Sequence, residues 1–215
     1  MSYQRTPYVE SKRAEARQRL VQAALDLVAQ GGWREVQMST VAAAAGLSTG
    51  ALYLHFPSKP KLLCEVYRVQ AGAELQVVAD IAAHETPAAE RLAAAISAFA
   101  QRAMSNRRLA YAMVLEPTEI EVEEERLRFH AAFIEQFRRI VDDGVGAGEF
   151  EVADSRVAAA CVFGGITESL MGPLAIVAPP AAGTRKRSRA DADALVAQVI
   201  AFCAHGLGQR ARKRR

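Results

Sequence analysis

Long apolar runs are missing from this chain. No stretch approaches ~18 uninterrupted apolar residues, and no apolar leader opens it, so neither a membrane span nor a secretory signal is expected. Cysteine is scarce: Cys64, Cys161 and Cys203 lie far apart, and three is an odd number. That pattern suits neither a disulfide framework nor a metal site. Each cysteine sits in an apolar helical pattern and is expected as a buried, reduced thiol of a cytoplasmic protein. No nucleophile–base pair, Gly-rich phosphate loop or metal-ligand spacing occurs, so no enzyme, cofactor or metal is expected. Runs of alternating apolar and polar residues are also absent, and with them the signature of strands.

What remains is rich in helix formers and 51% apolar over 215 residues, enough for a sizeable core in one or two domains. Net charge is only +3, but it is unevenly spread. Residues 1–60 carry seven Lys/Arg against four Asp/Glu, residues 61–183 eleven against eighteen, and residues 184–215 nine against two. A mildly basic head on an acidic body suits a protein whose head touches nucleic acid while its body stays off the phosphates. The basic tail from Arg210 reads first as a solvated terminus and second as a further nonspecific nucleic-acid contact.

Residues 39–59 carry the strongest signal. Val41, Ala42 and Ala45 give one apolar face of a short helix. Gly46 can take positive φ without a Cβ clash. Leu47 plugs the turn, and Ser48 can cap a new helix. Leu52 and Phe56 are spaced i, i+4 and face the core, which leaves Thr49, Gly50, Ala51 and Tyr53 outward. Two short helices joined by a Gly-containing turn form a helix-turn-helix, whose second helix enters a DNA major groove.

With Leu52, Tyr53, His55, Phe56, Ser58, Lys59 and Leu62 added, this segment resembles the N-terminal domain of the tetracycline-repressor-like (TetR/AcrR) transcriptional regulators, over about residues 12–65. The resemblance implies a homodimer that binds a double-stranded, near-palindromic DNA operator and is released, as a repressor, by a small-molecule effector. It also implies phosphate contacts from Tyr53, His55 and Lys59, and a four-helix dimer interface from the last two helices. Where the family usually has Thr or Ser at the start of its second helix, this chain has Gln37 and Met38. Ser39 and Thr40 follow as candidate DNA contacts and Ser39 as an alternative cap. The whole DNA-binding set is thus Ser39, Thr40, Ser48, Thr49, Gly50, Ala51, Tyr53, His55 and Lys59. None is a bidentate base reader; Thr49 and Ala51 can touch thymine methyls.

The expected fold is all-α with about nine helices: a three-helix DNA-binding domain at 1–60, then a ligand-binding and dimerisation domain at 61–215. Residues 1–11 read as a loose arm. Helices are expected over 11–30, 38–45, 49–55, from just after Ser58 to 83, and from the Thr86-Pro87 cap to 105. Four more follow over 107–115, 119–145, 155–170 and 189–206, with a Pro/Ala/basic loop at 176–188. Three helices of this size cannot bury a core alone, so they must share the fourth or lean on the first and sixth, and the fourth is expected as the lever between the domains. Phe129, Phe133 and Phe137 are spaced i, i+4, i+8. With Phe99, Met104, Tyr111 and Met113 they read either as core or as the wall of an apolar cavity. The candidate effector contacts are Phe99, Tyr111, His130, Phe133, Phe137, Phe163 and Thr167, with Glu168 as a further polar group. A small-residue stripe at Ala158, Val162, Gly165 and Ser169, with Leu195, Val199 and Phe202, is expected at the dimer interface. The acidic run Glu116–Glu125 reads as a solvated helix start favoured by the helix dipole. The rival reading of the chain is a helical small-molecule sensor or carrier without operator specificity.

Overall fold

The computed structural model describes residues 7–175 and 189–208. The arm at 1–6, the 176–188 loop and the basic tail lie outside the described residues. Among the described residues there are nine α-helices, one 3-10 turn and no strand. The helices are α1 (Pro7–Gly31), α2 (Met38–Ala44), α3 (Thr49–His55), α4 (Lys59–Ala82), α5 (Ala88–Ser105), α6 (Arg107–Val114), α7 (Ile120–Gly146), α8 (Ser155–Leu174) and α9 (Arg189–Gly206). The chain is all-α, with a helix-turn-helix head followed by a helical body.

Local chemistry sets these bounds. The α2–α3 turn is a Schellman closure: Leu47 N donates to Ala42 O at 2.9 Å and Gly46 N to Ala43 O at 3.0 Å, with Gly46 at φ 66°. Ser48 then caps α3, its Oγ accepting from Ala51 N at 3.1 Å. Ser58 caps α4 through Lys61 N, and Asp154 caps α8 through Arg156 N and Val157 N. Helix α2 starts without a side-chain cap; Gln37 instead donates to Arg34 O. Helix α5 takes no cap from Thr86 either, because Glu149 reaches across from the α7–α8 connection to accept from Ala89 N. Helix α8 runs past its expected end at residue 170, through Gly172 and Pro173, and closes with Ala175 N on Met171 O. A proline so near a helix end removes only one ladder bond. Gly144 is demanded by packing, since a Cβ there would lie 2.2 Å from the Phe150 ring.

Two cores result. The first gathers Leu20, Val28, Trp33, Val41, Leu52 and Phe56 with Leu62, Leu63, Val66 and Tyr67 of α4, Ala112 and Met113 of α6, and Val122 of α7. The second holds the rest of the body, including Val78 and Ala82 from the far half of α4. The head's core therefore extends beyond residue 60, and α4 belongs to both cores.

Candidate nucleic-acid interface and effector cavity

Helix α3 buries Leu52, with Phe56 just beyond its end, and turns Thr49, Gly50 and Tyr53 to solvent, with Ala51 partly covered. Ser39 and Thr40 in the first turn of α2 are exposed beside it, as is Ser48. The sequence reading missed two residues here. Leu54 is 77% exposed on the same helix, an unusual place for leucine unless something covers it. Arg13, in α1, lies against the end of α3 and donates to Leu54 O. Helix α1 begins at Pro7, about one turn earlier than its apolar stripe implied. Its neighbour Arg17 is engaged elsewhere, with Glu65 at 2.6 Å and over the Phe56 ring. Burial, then the charges of Arg13 and Arg17, hold the His55 imidazole below its ordinary pKa, so it is neutral at pH 7. Lys59 stands in the first turn of α4, partly buried.

The body holds a cavity of about 360 Å³ bounded by α4, α5, α6, α7 and α8. Its floor is aromatic: Phe133 stacks on Phe163 (5.2 Å, 9°), and Phe99 meets both edge-on. His130 also contacts the Phe163 ring edge-on, at 4.9 Å. The Thr167 hydroxyl donates back to its own helix, at Phe163 O and Gly164 O. Phe99, His130, Phe133, Phe163 and Thr167 therefore share this cavity, with Tyr67, Phe129, Met113 and Met171 joining them. Two expected members do not line it. Phe137 has no exposure and packs into the second core, 6.0 Å from the Phe163 ring. Tyr111 lies beneath the Arg108 guanidinium at 5.6 Å. Glu168 faces solvent.

The cavity wall is also the wall of the head. Tyr67, whose burial pushes its pKa up to about 12, lines the cavity and stacks on Trp33 at 6.4 Å. Trp33 Nε1 donates to Ala112 O of α6 at 2.8 Å. Arg126, another lining residue, donates to the same carbonyl and to Met113 O and Glu116 O. One guanidinium thus closes the end of α6, where a helix carries its partial negative charge. Arg108 adds bonds to Gly31 O at 2.6 Å and to Glu116 at 2.8 Å.

The acidic run differs from its expected role as a solvated helix start. Glu116 and Glu125 are buried. Glu125 pairs with Arg68 of α4 and with Arg128, and these hold its carboxyl below the usual range, the Arg68 hydrogen bond most of all. Glu123 pairs with Arg126 at 2.6 Å. Arg126 and Arg128 lie one turn along the same helix, but Arg68 is distant in sequence, so the run itself could not reveal the partner that Glu125 meets on α4.

Two family models match the chain in succession. "Bacterial regulatory proteins, tetR family" matches residues 20–66, and "Tetracyclin repressor-like, C-terminal domain" matches residues 85–170. Together they span the helix-turn-helix and most of the body. The chain belongs to the tetR family. It is a DNA-binding transcriptional regulator.

Among curated relatives of this tetR-family regulator, the fatty acid metabolism regulator protein of Bacillus subtilis is 26% identical over 154 residues, covering 70% of this chain and 79% of the relative. The transcriptional repressor KstR of Rhodococcus jostii is 47% identical over 49 residues, 23% of each chain. Among solved structures, FadR from Bacillus subtilis in complex with stearoyl-CoA superposes with a TM-score of 0.71 at 22% identity, over 88% of this chain and 98% of that one. FadR from Bacillus halodurans gives the same TM-score and identity over 96% and 100%. At such identity these structures share the fold with the tetR-family regulator described here.

The regulator's last two helices present an unpartnered apolar face, rotated from the expected one. Val162 is only 3% exposed and packs within its own chain, and Ala158, Leu195 and Val199 lean on the body. The open stripe carries Val157, Cys161 and Glu168 on α8 and Phe202, 74% exposed, on α9. Gly165 and Ser169 lie partly covered beside it. Cys161, expected as buried, is exposed here. Helix α8 has the length and apolarity of a membrane span, but it packs on α5, α6, α7 and α9.

Proposed function

We propose that this chain is a homodimeric, cytoplasmic repressor that leaves a near-palindromic operator when a long-chain amphiphile of the fatty-acyl class fills the body cavity. The observation that carries the reading is the cavity's position. It is walled by Phe99, Phe133, Phe163 and Met171, and its lining residues Tyr67, Ala71 and Met113 belong to the core of the DNA-reading head, where Tyr67 stacks on Trp33. A ligand that favours one arrangement of this wall biases α4, which belongs to both cores. The relative that matches most of the chain is a fatty acid metabolism regulator, and a structure of the same fold was solved with stearoyl-CoA. An aromatic floor with polar residues at the rim suits such a molecule.

Ser39, Thr40, Ser48, Thr49, Gly50, Ala51, Tyr53, His55 and Lys59 form the proposed DNA face, with Leu54 and Arg13 added. No bidentate base reader stands among the α3 residues, so phosphate contacts and DNA shape carry a large share of recognition. The open face of α8 and α9 is proposed to meet a second copy, spacing two readers for two half-sites. The test is selection of bound sequences from random DNA, followed by titration of the recovered operator complex with stearoyl-CoA. A palindromic site and release by the probe are expected. Salt-sensitive binding without sequence preference would favour a sensor without an operator.

A further inference from the structure

Three charged side chains line the effector cavity: Glu74 of α4, Arg102 of α5 and Arg126 of α7. They are not equivalent. Arg126 is occupied, with Nε on Met113 O, Nη1 on Glu123, and Nη2 on Ala112 O and Glu116 O. Arg102 is half-exposed and has a single carboxylate partner, Glu74. It donates to Glu74 from both Nε and Nη2, the latter at 3.0 Å. Gln70, also of α4, donates to the same carboxylate at 2.9 Å. Among the described residues this is the one ion pair that joins α4 to α5. It bridges the lever helix and the body across the cavity wall.

A guanidinium offers one bidentate fork to a carboxylate or phosphate. An amphiphile that lays its chain on the Phe99–Phe133–Phe163 floor and brings a negative head group toward the Arg102 side competes with Glu74 for that fork. We propose that Arg102 reads the effector's negative charge, and that its exchange from Glu74 to the effector breaks the ion pair between α4 and α5 and loosens their contact at the cavity wall. Glu74 then turns to water, and α4 loses this one tie to α5 at the cavity wall, while Val78 and Ala82 keep its far half in the second core. The effector class is an amphiphile with an anionic head. The phosphates of an acyl-CoA's coenzyme A group and the carboxylate of a free fatty acid share that chemistry. A neutral amphiphile of equal length fills the floor without displacing Glu74. The inference rests on the effector reading above.

The test uses the full chain, its selected operator and three probes below their micelle-forming concentrations: stearoyl-CoA, stearate and 1-octadecanol. In the wild type, one or both anions should weaken operator binding about tenfold more than octadecanol does. Which anion acts identifies the source of the charge. Arg102→Gln should respond to all three alike. Glu74→Gln should keep the preference for anions and bind them more tightly, because the competing carboxylate is gone. Both variants should lose up to about fivefold in operator affinity without any probe, as expected for a half-exposed pair. A purely structural pair would make the two variants alike toward the probes; that result, or an Arg102→Gln variant that still prefers anions, overturns the proposal. Equal release of the wild type by all three probes also overturns it while leaving the effector reading intact. If no probe moves the wild type off its operator, the effector reading fails and the proposal with it.

Discussion

Lys59 and His55 stand at one edge of the proposed DNA face. Lys59 is a cation in the first turn of α4, where backbone N–H groups also favour an anion. Lys59→Ala is expected to weaken specific and random DNA binding alike and to lower the salt slope by about one unit. An unchanged slope in a salt titration would remove Lys59 from the phosphate contacts. Burial, then Arg13 and Arg17, keep His55 neutral at pH 7 in the free protein. A phosphate docked beside it offsets those two cations and raises its pKa in the complex. Binding then takes up a proton, so operator affinity should rise as pH falls from about 7.5 to about 5.5, and His55→Gln should flatten that trend. Affinity that falls over the same range would reverse the assignment. The helix-turn-helix residues were legible because caps, a glycine turn and an i, i+4 pair are local. Phe137 was not. Successive i+4 steps drift by about 40° around a helix, so Phe129 and Phe133 reach the cavity while Phe137, eight residues on, has turned into the core.

Helix bounds followed closely from local signals, but helix faces did so only where the pattern was asymmetric. Helix α8 is apolar nearly all round, so periodicity could not say which stripe meets the body. The structure buries Val162 and leaves Val157, Cys161 and, from α9, Phe202 open. Phe202→Asp combined with Val157→Asp should give soluble, helical monomers, since neither side chain supports its own core. Sedimentation that shows the double variant still dimeric would remove this face from the interface; an obligate interface of the kind proposed buries about 2,000 Å² or more. Helix α6 offers a second test. Its carbonyl at Ala112 takes hydrogen bonds from Trp33 of the head and Arg126 of the cavity wall. Trp33→Phe keeps an aromatic ring against Tyr67 and removes one buried donor. It should lower stability by about 0.5–1.5 kcal/mol and shrink the effector-dependent change in operator affinity. Full coupling in this variant would show that the signal passes through α4 alone. The acidic run Glu116–Glu125 was misjudged for a related reason: its buried members Glu116 and Glu125 meet Arg108 of α6 and Arg68 of α4, beside the arginines of α7 itself.

At the scale of the molecule, the reader and the cavity share a wall, and α4 runs from one core to the other. That arrangement permits coupling but does not set its size. A coupling of about 1–3 kcal/mol corresponds to a change of about 5–150-fold in operator affinity, and it must act equally in both directions. The direct measurement is the operator dissociation constant with and without saturating stearoyl-CoA, paired with the probe's own affinity with and without operator. Trp33, the chain's single tryptophan, stacks against the cavity-lining Tyr67 and can report occupancy by its fluorescence. Each ligand should weaken the binding of the other by the same factor within that range. A probe that demonstrably occupies the cavity yet leaves operator affinity unchanged would contradict this coupling.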